Sequence, residues 1–446
     1  MRNRVIVIGG GAAGLTAAIT AARRQCEVTI IEHTGRLGKK ILSTGNGKCN
    51  FTNLEQGVEY YYGTDPEFAM NALSFISVEN TIKFFKTLGV EVKNKGGYLY
   101  PRSEQASAVL DVLLMEIEHL KIKVYLNTEV KQIQKKGKSF VVKTNSDEFQ
   151  AEKLLISTGS KAAPKTGSDG SGFLLAKSFG HHIIEPLPAL VQLRSNKKCF
   201  KELAGIRTDA NICLFIDQAA DSKKIISQRG ELQITDYGIS GIPVLQISRF
   251  AVRGIKEGKQ VKAVIDFLPD RLEKQLFADI EERVYYNGYK TVESLFIGLL
   301  NKKLIPVIRK EARIPAEKNG NQLSKKEIGR LAKIIKNFEA EISGYNSFEQ
   351  AQVCSGGIST KEIDRDTMES KLCRNLFFAG EIIDIDGTCG GYNLQWAWSS
   401  GMTAGYYLSL IHISERSSFR YGIRAGCGGK GAEKYFRYWF LLFNES

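Results

Sequence analysis

A glycine turn with a carboxylate behind it is the first group of residues able to do chemistry. Gly9-Gly10-Gly11-Ala12-Ala13-Gly14 has G-x-G-x-x-G spacing, and Glu32 follows eighteen residues after Gly14. In such a turn the first glycine permits a tight reversal and the second lets the backbone approach a pyrophosphate. The third lets a helix pack against the preceding strand with its N-terminal amides aimed at the phosphates. A carboxylate at Glu32 accepts hydrogen bonds from ribose hydroxyls and repels a 2′-phosphate, which favours an unphosphorylated adenosine. The motif specifies a dinucleotide and leaves FAD and NAD as alternatives.

Two further clusters widen that chemistry. Residues 43–53 read Ser-Thr-Gly-Asn-Gly-Lys-Cys-Asn-Phe-Thr-Asn, small and polar enough to come close to a ligand, with Lys39, Lys40 and Lys48 placed to neutralise phosphates. Near the other end Gly380-Glu381 closes an apolar run, Asp384 follows, and Gly390-Gly391-Tyr392-Asn393 opens a long helical stretch. An acid at the end of a late parallel strand can accept from ribityl or ribose hydroxyls. Bare amides at a helix N-terminus suit the pyrimidine ring of a reduced flavin, where electron density builds. Tyr237, Ser240 and Tyr392 are candidate substrate-facing residues, because aromatic and hydroxyl groups in glycine-rich contexts commonly face pockets. None of the five histidines sits in a motif, so none is assigned as a general base.

The elements that must position these clusters can be read from periodicity. Val5-Ile6-Val7-Ile8 is a continuous apolar run, as expected of a parallel strand buried on both faces, and residues 4–32 read strand, turn, helix, strand. Residues 66–88 carry helical spacing stopped by Gly89, and residues 107–120 a second helix. Residues 128–151 predict a β-meander, and residues 153–159 the next parallel strand, ending at Thr158-Gly159. From residue 190 to 268 short β-like segments predict a small antiparallel sheet or barrel. Residues 269–345 are expected to form a basic helical subdomain. Residues 346–408 return to the domain begun by residues 1–189, which is therefore discontinuous. Residues 409–446 break the pattern and read either as an aromatic docking segment or as a frameshifted or chimeric end, so no functional argument rests on them.

With 446 residues and 43 % hydrophobic content the chain can build two or three cored domains. No run approaches the ~18 apolar residues that span a bilayer. The first strand begins too close to Met1 for a signal peptide, so a cytoplasmic protein without a membrane partner is expected. Eight cysteines without C-x-x-C or Cys/His clustering argue against zinc, iron–sulfur or disulfide frameworks, and no metal site is expected. Cys49 and Cys389 fall in loops expected beside the cofactor; a redox pair is one reading, two buried inert thiols the favoured one. A net charge of +14 would suit nucleic acid, but the lysines and arginines are spread through amphipathic helices, and a solvated basic surface is favoured.

Taken together, GGGAAG (9–14), TGNGKCNFTN (44–53), TDYGISG (235–241) and FFAGEIIDIDGTCGGYNLQWAWSSG (377–401) resemble the HI-type NAD(FAD)-utilising dehydrogenase family of flavoproteins, with its BaiN-like and aminoacetone-oxidase-like members. The resemblance covers residues 1–408. It implies an α/β fold, a two-dinucleotide-binding (Rossmann-like) FAD domain with an inserted β-barrel-like domain and a helical subdomain. It also implies non-covalent FAD, with NADH or NADPH as a transient reductant. By position it implies Gly9, Gly11, Ala13 and Gly14 at the pyrophosphate and Glu32 at the adenosine ribose. Lys40, Thr44, Gly45, Asn46, Cys49 and Asn50 match the second cofactor loop, Val130 the adenine-side strand and Gly159 the inner turn. Gly380, Glu381, Asp384, Gly391, Tyr392 and Asn393 match the ribityl and isoalloxazine end. Cys389 departs from the family pattern, which has Thr there. The implied activity is hydride exchange between flavin N5 and a small organic substrate. The favoured direction is NAD(P)H-linked reduction of an activated C=C bond; the alternative is amine oxidation with electrons passed to oxygen. An RNA-associated flavoprotein is the alternative of another class, and a flavin-binding protein without turnover the third. The oligomeric state stays open.

Overall fold

The computed structural model describes residues 3–218 and 221–410. They form two compact units, each with its own hydrophobic core: one runs to Pro186 and resumes at Ser355, the other is Leu187–Cys354.

In the first unit five parallel strands lie in the order Leu376–Phe378, Lys153–Ile156, Arg4–Ile8, Glu27–Ile31, Lys123–Tyr125. The apolar run at 5–8 is fully buried, as a central strand covered on both faces must be. The helix Ala12–Arg23 follows at once and is alanine-rich because it is itself covered, by the helix Tyr392–Ser409. That crossing depends on two missing side chains. A Cβ at Gly401 would sit 2.4 Å from the Ala13 carbonyl oxygen, and one at Gly405 2.5 Å from that of Ala17. The helix Tyr392–Ser409 ends on Lys153, whose buried Nζ donates to the carbonyls of Tyr407 (3.1 Å) and Leu410 (2.7 Å), a cation placed where the helix dipole is negative. Val130–Lys136, Ser139–Thr144 and Glu148–Ala151 form the antiparallel meander.

The single helix expected over 66–88 is two, Glu67–Phe75 and Val78–Thr87. Ser77 divides them. Its Oγ accepts from the Asn80 amide (3.3 Å) and the Asn80 Oδ1 accepts from the Ser77 amide (3.0 Å), a reciprocal cap that restarts the helix.

The second unit is built on seven antiparallel strands, ordered Phe338–Glu341, Val261–Asp266, Arg207–Gln218, Asp221–Thr235, Gly238–Ser240, Leu193–Arg194, Gly344–Tyr345. The two strands at the ends of that order are neighbours in the chain, separated only by Ile342 and Ser343. The Ile342 amide donates to the Val261 carbonyl (2.8 Å) and the Ser343 amide to the Arg194 carbonyl (3.0 Å), so the edges meet and the sheet closes into a barrel. Residues 269–345 are therefore helical only in part. Glu273–Asn287, Val292–Leu295, Leu304–Glu311 and Lys325–Lys336 are helices, but the chain then returns to the sheet. Phe338 and Ala340 are buried and Glu339 and Glu341 exposed, a period of two that belongs to a strand.

Candidate cofactor site

The first unit brings the candidate cofactor residues to the C-terminal edge of its parallel sheet. Gly9 turns with φ +95°, against the Ser157 carbonyl oxygen 2.7 Å from where a Cβ would stand. Gly11 begins the helix and has nothing within 4 Å of that position, leaving the amide end of the helix open. Gly14 is the reverse case, its Cβ position filled by the Gly9 carbonyl oxygen at 2.0 Å. Glu32 is buried and fixes the turn: Oε2 accepts from the Gly10 amide (2.9 Å) and Oε1 from the Thr34 amide (2.8 Å), with His33 Nδ1 at 3.4 Å. A carboxylate has about four acceptor positions, so those bonds leave capacity for ribose hydroxyls. The Glu32 carbonyl accepts from the Thr128 amide (3.0 Å), two residues before Val130 begins the meander.

The second loop is held on both sides. Lys40, in the short helix Lys39–Ser43, places Nζ 2.6 Å from Glu381 Oε2, so two candidates 341 residues apart form one ion pair. Gly45 and Asn46 are left-handed (φ 55° and 53°), as is Cys49 (φ 54°). The loop closes through the Lys48 amide on the Gly45 carbonyl (3.1 Å) and the Cys49 amide on the Thr44 carbonyl (3.0 Å). The Asn50 carboxamide lies 3.1 and 3.0 Å from the carbonyls of Leu99 and Thr52, with its nitrogen toward them.

The flavin-end candidates converge on that loop. A Cβ at Gly391 would stand 2.6 Å from the Thr52 backbone, and Asn53 Nδ2 donates to the Gly390 carbonyl (3.1 Å). Asp384 is buried, and its Oδ2 accepts from the Thr64 amide (2.8 Å) and hydroxyl (2.7 Å). Asn393 is occupied locally: Oδ1 accepts from the Gly387 amide (2.8 Å) and Nδ2 donates to the carbonyls of Gly387 (2.7 Å) and Thr388 (3.3 Å), which shapes the loop rather than offering its side chain. Tyr392 stacks on Tyr60 with centroids 4.6 Å apart. Burial and the neighbouring tyrosines push its phenol upward, so it stays protonated and can donate but not act as a base. Burial also pushes the Cys49 thiol up to about 11 and the Cys389 thiol up to about 12, opposite to what a reactive pair requires. Tyr237 and Ser240 lie in the other unit. There the Tyr237 hydroxyl accepts from Asn346 Nδ2 (3.2 Å), and Ser240 sits opposite Gln233 in the barrel.

What motif reading missed is the brace behind the loops. Trp396 Nε1 donates to the Gly380 carbonyl (3.1 Å), Trp398 Nε1 to the Phe51 carbonyl (2.8 Å), and Ser400 Oγ accepts from the Gly380 amide (2.9 Å). Gln395, fully buried, accepts from the Thr52 hydroxyl (2.6 Å) and donates to Thr81 Oγ1 (2.9 Å) and Ser399 Oγ (2.8 Å). A buried indole or amide must find a partner, and an aromatic-polar run directly after a glycine loop was the available signal.

The residues fit an FAD. The glycine turn is open where a pyrophosphate would approach and closed where a helix must pack, and buried Thr158 Oγ1 and Ser160 Oγ, on either side of Gly159, have no hydrogen-bond partner among the described residues. The model of the HI0933-like protein Rossmann domain matches residues 3–407. The chain belongs to this family. It is 42 % identical over 405 residues to the 3-dehydro-bile acid delta(4,6)-reductase of Clostridium scindens, covering 90 % of this chain and 98 % of the relative. It is 31 % identical over 412 residues to the ribosomal RNA dihydrouridine synthase of Haemophilus influenzae (91 % and 98 %) and 29 % identical over 403 residues to that of Escherichia coli (90 % and 96 %). This HI0933-like protein is an FAD-dependent oxidoreductase with a Rossmann-like cofactor domain. No helix among its described residues is long and apolar enough to cross a membrane.

Proposed function

We propose that this protein reduces a C=C bond conjugated to a carbonyl on a small, steroid-like molecule, using a reduced nicotinamide nucleotide, in a reducing compartment such as the cytoplasm. The observation that carries the reading is the near end-to-end match to a relative named as a 3-dehydro-bile acid delta(4,6)-reductase. The relatives named for dihydrouridine point to the same bond type, since a uracil C=C is also conjugated to a carbonyl. FAD, when bound, supplies two-electron hydride chemistry at N5.

The chain's own residues do the rest. Gly9, Gly11, Ala13 and Gly14 would hold the pyrophosphate at the helix N-terminus, Glu32 the ribose hydroxyls, and Val130 the adenine side. Thr44, Gly45, Asn46, Cys49 and Asn50 shape the loop over the cofactor, and Gly159 its inner turn. The Lys40–Glu381 pair ties that loop to Gly380, and Asp384 and Gly391 set the flavin end, with Asn393 ordering its approach. Tyr392, protonated at neutral pH, is the candidate hydrogen-bond donor at the flavin end.

Anaerobic titration of the holoprotein with NADH and NADPH tests this. The flavin should bleach, a 3-oxo-4,6-dienoic steroid should restore its colour, and the product should gain two hydrogens by mass. Bleaching by an amine with reoxidation only by oxygen would refute it. A second reading, reduction of uridine in ribosomal RNA, is favoured by the two dihydrouridine-synthase relatives. It requires that unmodified rRNA restore the colour with an affinity that falls steeply with salt.

A further inference from the structure

The strands Val92–Lys95 and Tyr98–Pro101 form a hairpin whose two-residue turn, Gly96-Gly97, has φ +60° and +94°. Such a turn fixes register, and here it sets Lys95 opposite Tyr98 and Lys93 opposite Tyr100. Cross-strand partners share a face. Leu99 and Pro101 point inward and are buried, so the two lysines and two tyrosines make the outer face. Tyr98 is 44 % exposed, and its ring stands 2.8 Å from where a Cβ on Gly390 would be, at the flavin end of the site. The Tyr100 ring lies 3.7 Å from the corresponding point on Gly45, in the second cofactor loop, and carries the Lys95 ammonium 5.3 Å above it.

Three ammonium groups meet at the end of this face. Lys93, Lys95 (2.9 Å) and Lys48 (3.4 Å), the last from the cofactor loop, all pair with Glu104. Glu104 is itself held in the left-handed region at φ +53°. The lysines hold its carboxyl down to about 2, so it is a fixed anion and the cluster keeps a net charge of two positive units. Three cations on one point suit a compact dianion better than the spaced charges of a nucleic-acid strand.

We propose that this face is the docking platform for the external reductant: the Lys48–Lys93–Lys95 cluster takes the phosphomonoester of NADPH, and Tyr98 and Tyr100 supply the aromatic surface along which the nucleotide reaches the flavin end. The inference rests on the reading that a nicotinamide nucleotide reduces the flavin. It makes NADPH the preferred nucleotide, bound without a second complete glycine fingerprint.

The test separates binding from reduction. Calorimetry of the holoprotein with adenosine 2′,5′-bisphosphate, against 5′-AMP, should show binding of the bisphosphate, weakened about 10- to 100-fold by the double substitution Lys93→Gln/Lys95→Gln. In anaerobic stopped flow the same variant should raise half-saturating NADPH by a similar factor and leave NADH unchanged, with flavin content and melting temperature retained as controls. Equal binding of 5′-AMP and the bisphosphate, or a variant that keeps the NADPH-to-NADH ratio, overturns the proposal. So does a variant that loses only salt-sensitive rRNA affinity, which would assign the face to RNA. Bisphosphate binding without bleaching by either nucleotide would refute the reductant reading and leave the phosphate subsite standing.

Discussion

Replacing Gly401 by alanine should cost this protein its flavin more readily than its fold. In a helix interior the change alone would stabilise by about 1 kcal/mol. Here the new Cβ would lie 2.4 Å from the Ala13 carbonyl oxygen and 2.5 Å from Thr16 Oγ1, where ordinary contact begins near 3.4 Å. Backbone cannot swing aside, so the two helices must separate by about 1 Å, and overpacking of that kind costs about 1–3 kcal/mol. The displaced segment is Ala13-Gly14, inside the turn proposed to hold the pyrophosphate, where a 1 Å shift would stretch amide–phosphate bonds from about 2.9 Å past the range in which they hold. Gly405→Ala meets Ala17 at 2.5 Å, the same collision one turn farther from the phosphates. The two variants should melt alike, but Gly401→Ala should emerge from a desalting column with much less flavin and a dissociation constant for FAD raised about tenfold or more. Equal flavin retention in both, or a Gly401→Ala protein that melts above the wild type, would refute this account of the crossing.

Other consequences follow from single contacts. Lys40→Met leaves the Glu381 carboxylate, mostly buried at 2.6 Å, without this cation and should weaken FAD binding about tenfold; a double-mutant cycle with Glu381→Gln should return a coupling near 1 kcal/mol. Gln395→Leu strands the Thr52 and Thr81 hydroxyls and should lower stability by about 2–4 kcal/mol in urea titration. His181 is buried against Phe378 with Nε2 2.8 Å from Ser370 Oγ, and burial lowers its pKa from 6.5 despite Glu362 at 3.2 Å. The unfolded chain therefore takes up a proton that the folded one refuses: this stability is complete above pH 6.5 and falls as pH drops through the folded value, a slope that His181→Asn should remove from melting curves recorded below pH 6.5. Cys49 and Cys389, their thiols raised to about 11 and about 12, should resist a maleimide at pH 7 until the protein is unfolded.

What could be read from the sequence was what is local. The strand Arg4–Ile8, its glycine turn and Glu32 lie within one βαβ unit, and each residue's reason for being there is a neighbour a few positions away. The pairing of Lys40 with Glu381 could not be read, because it depends on how the strand Leu376–Phe378, returning after the second unit, lands beside Lys153–Ile156. Lys40 was expected to face phosphate, and its partner is protein. The brace from Gln395, Trp396 and Trp398 was hidden for the same reason: an apolar helix pattern does not say which carbonyls its polar atoms will reach. The break at Ser77 was visible, since a serine followed three residues later by an amide side chain is a capping signal, but continuous apolar spacing outweighed it. The strands at 338–345 are so short that two periods of alternation were absorbed into the helical pattern before them.

The position of the strand Leu376–Phe378 orders events during synthesis. It completes one edge of the parallel sheet, and the helix after it braces both cofactor loops, so neither exists until the ribosome has added the whole of Leu187–Cys354. The second unit is an uninterrupted segment and can close its barrel while the opening strands wait with an exposed edge. The glycine turn at residues 9–14 therefore waits, through most of synthesis, for the helix Tyr392–Ser409 that packs against its own helix.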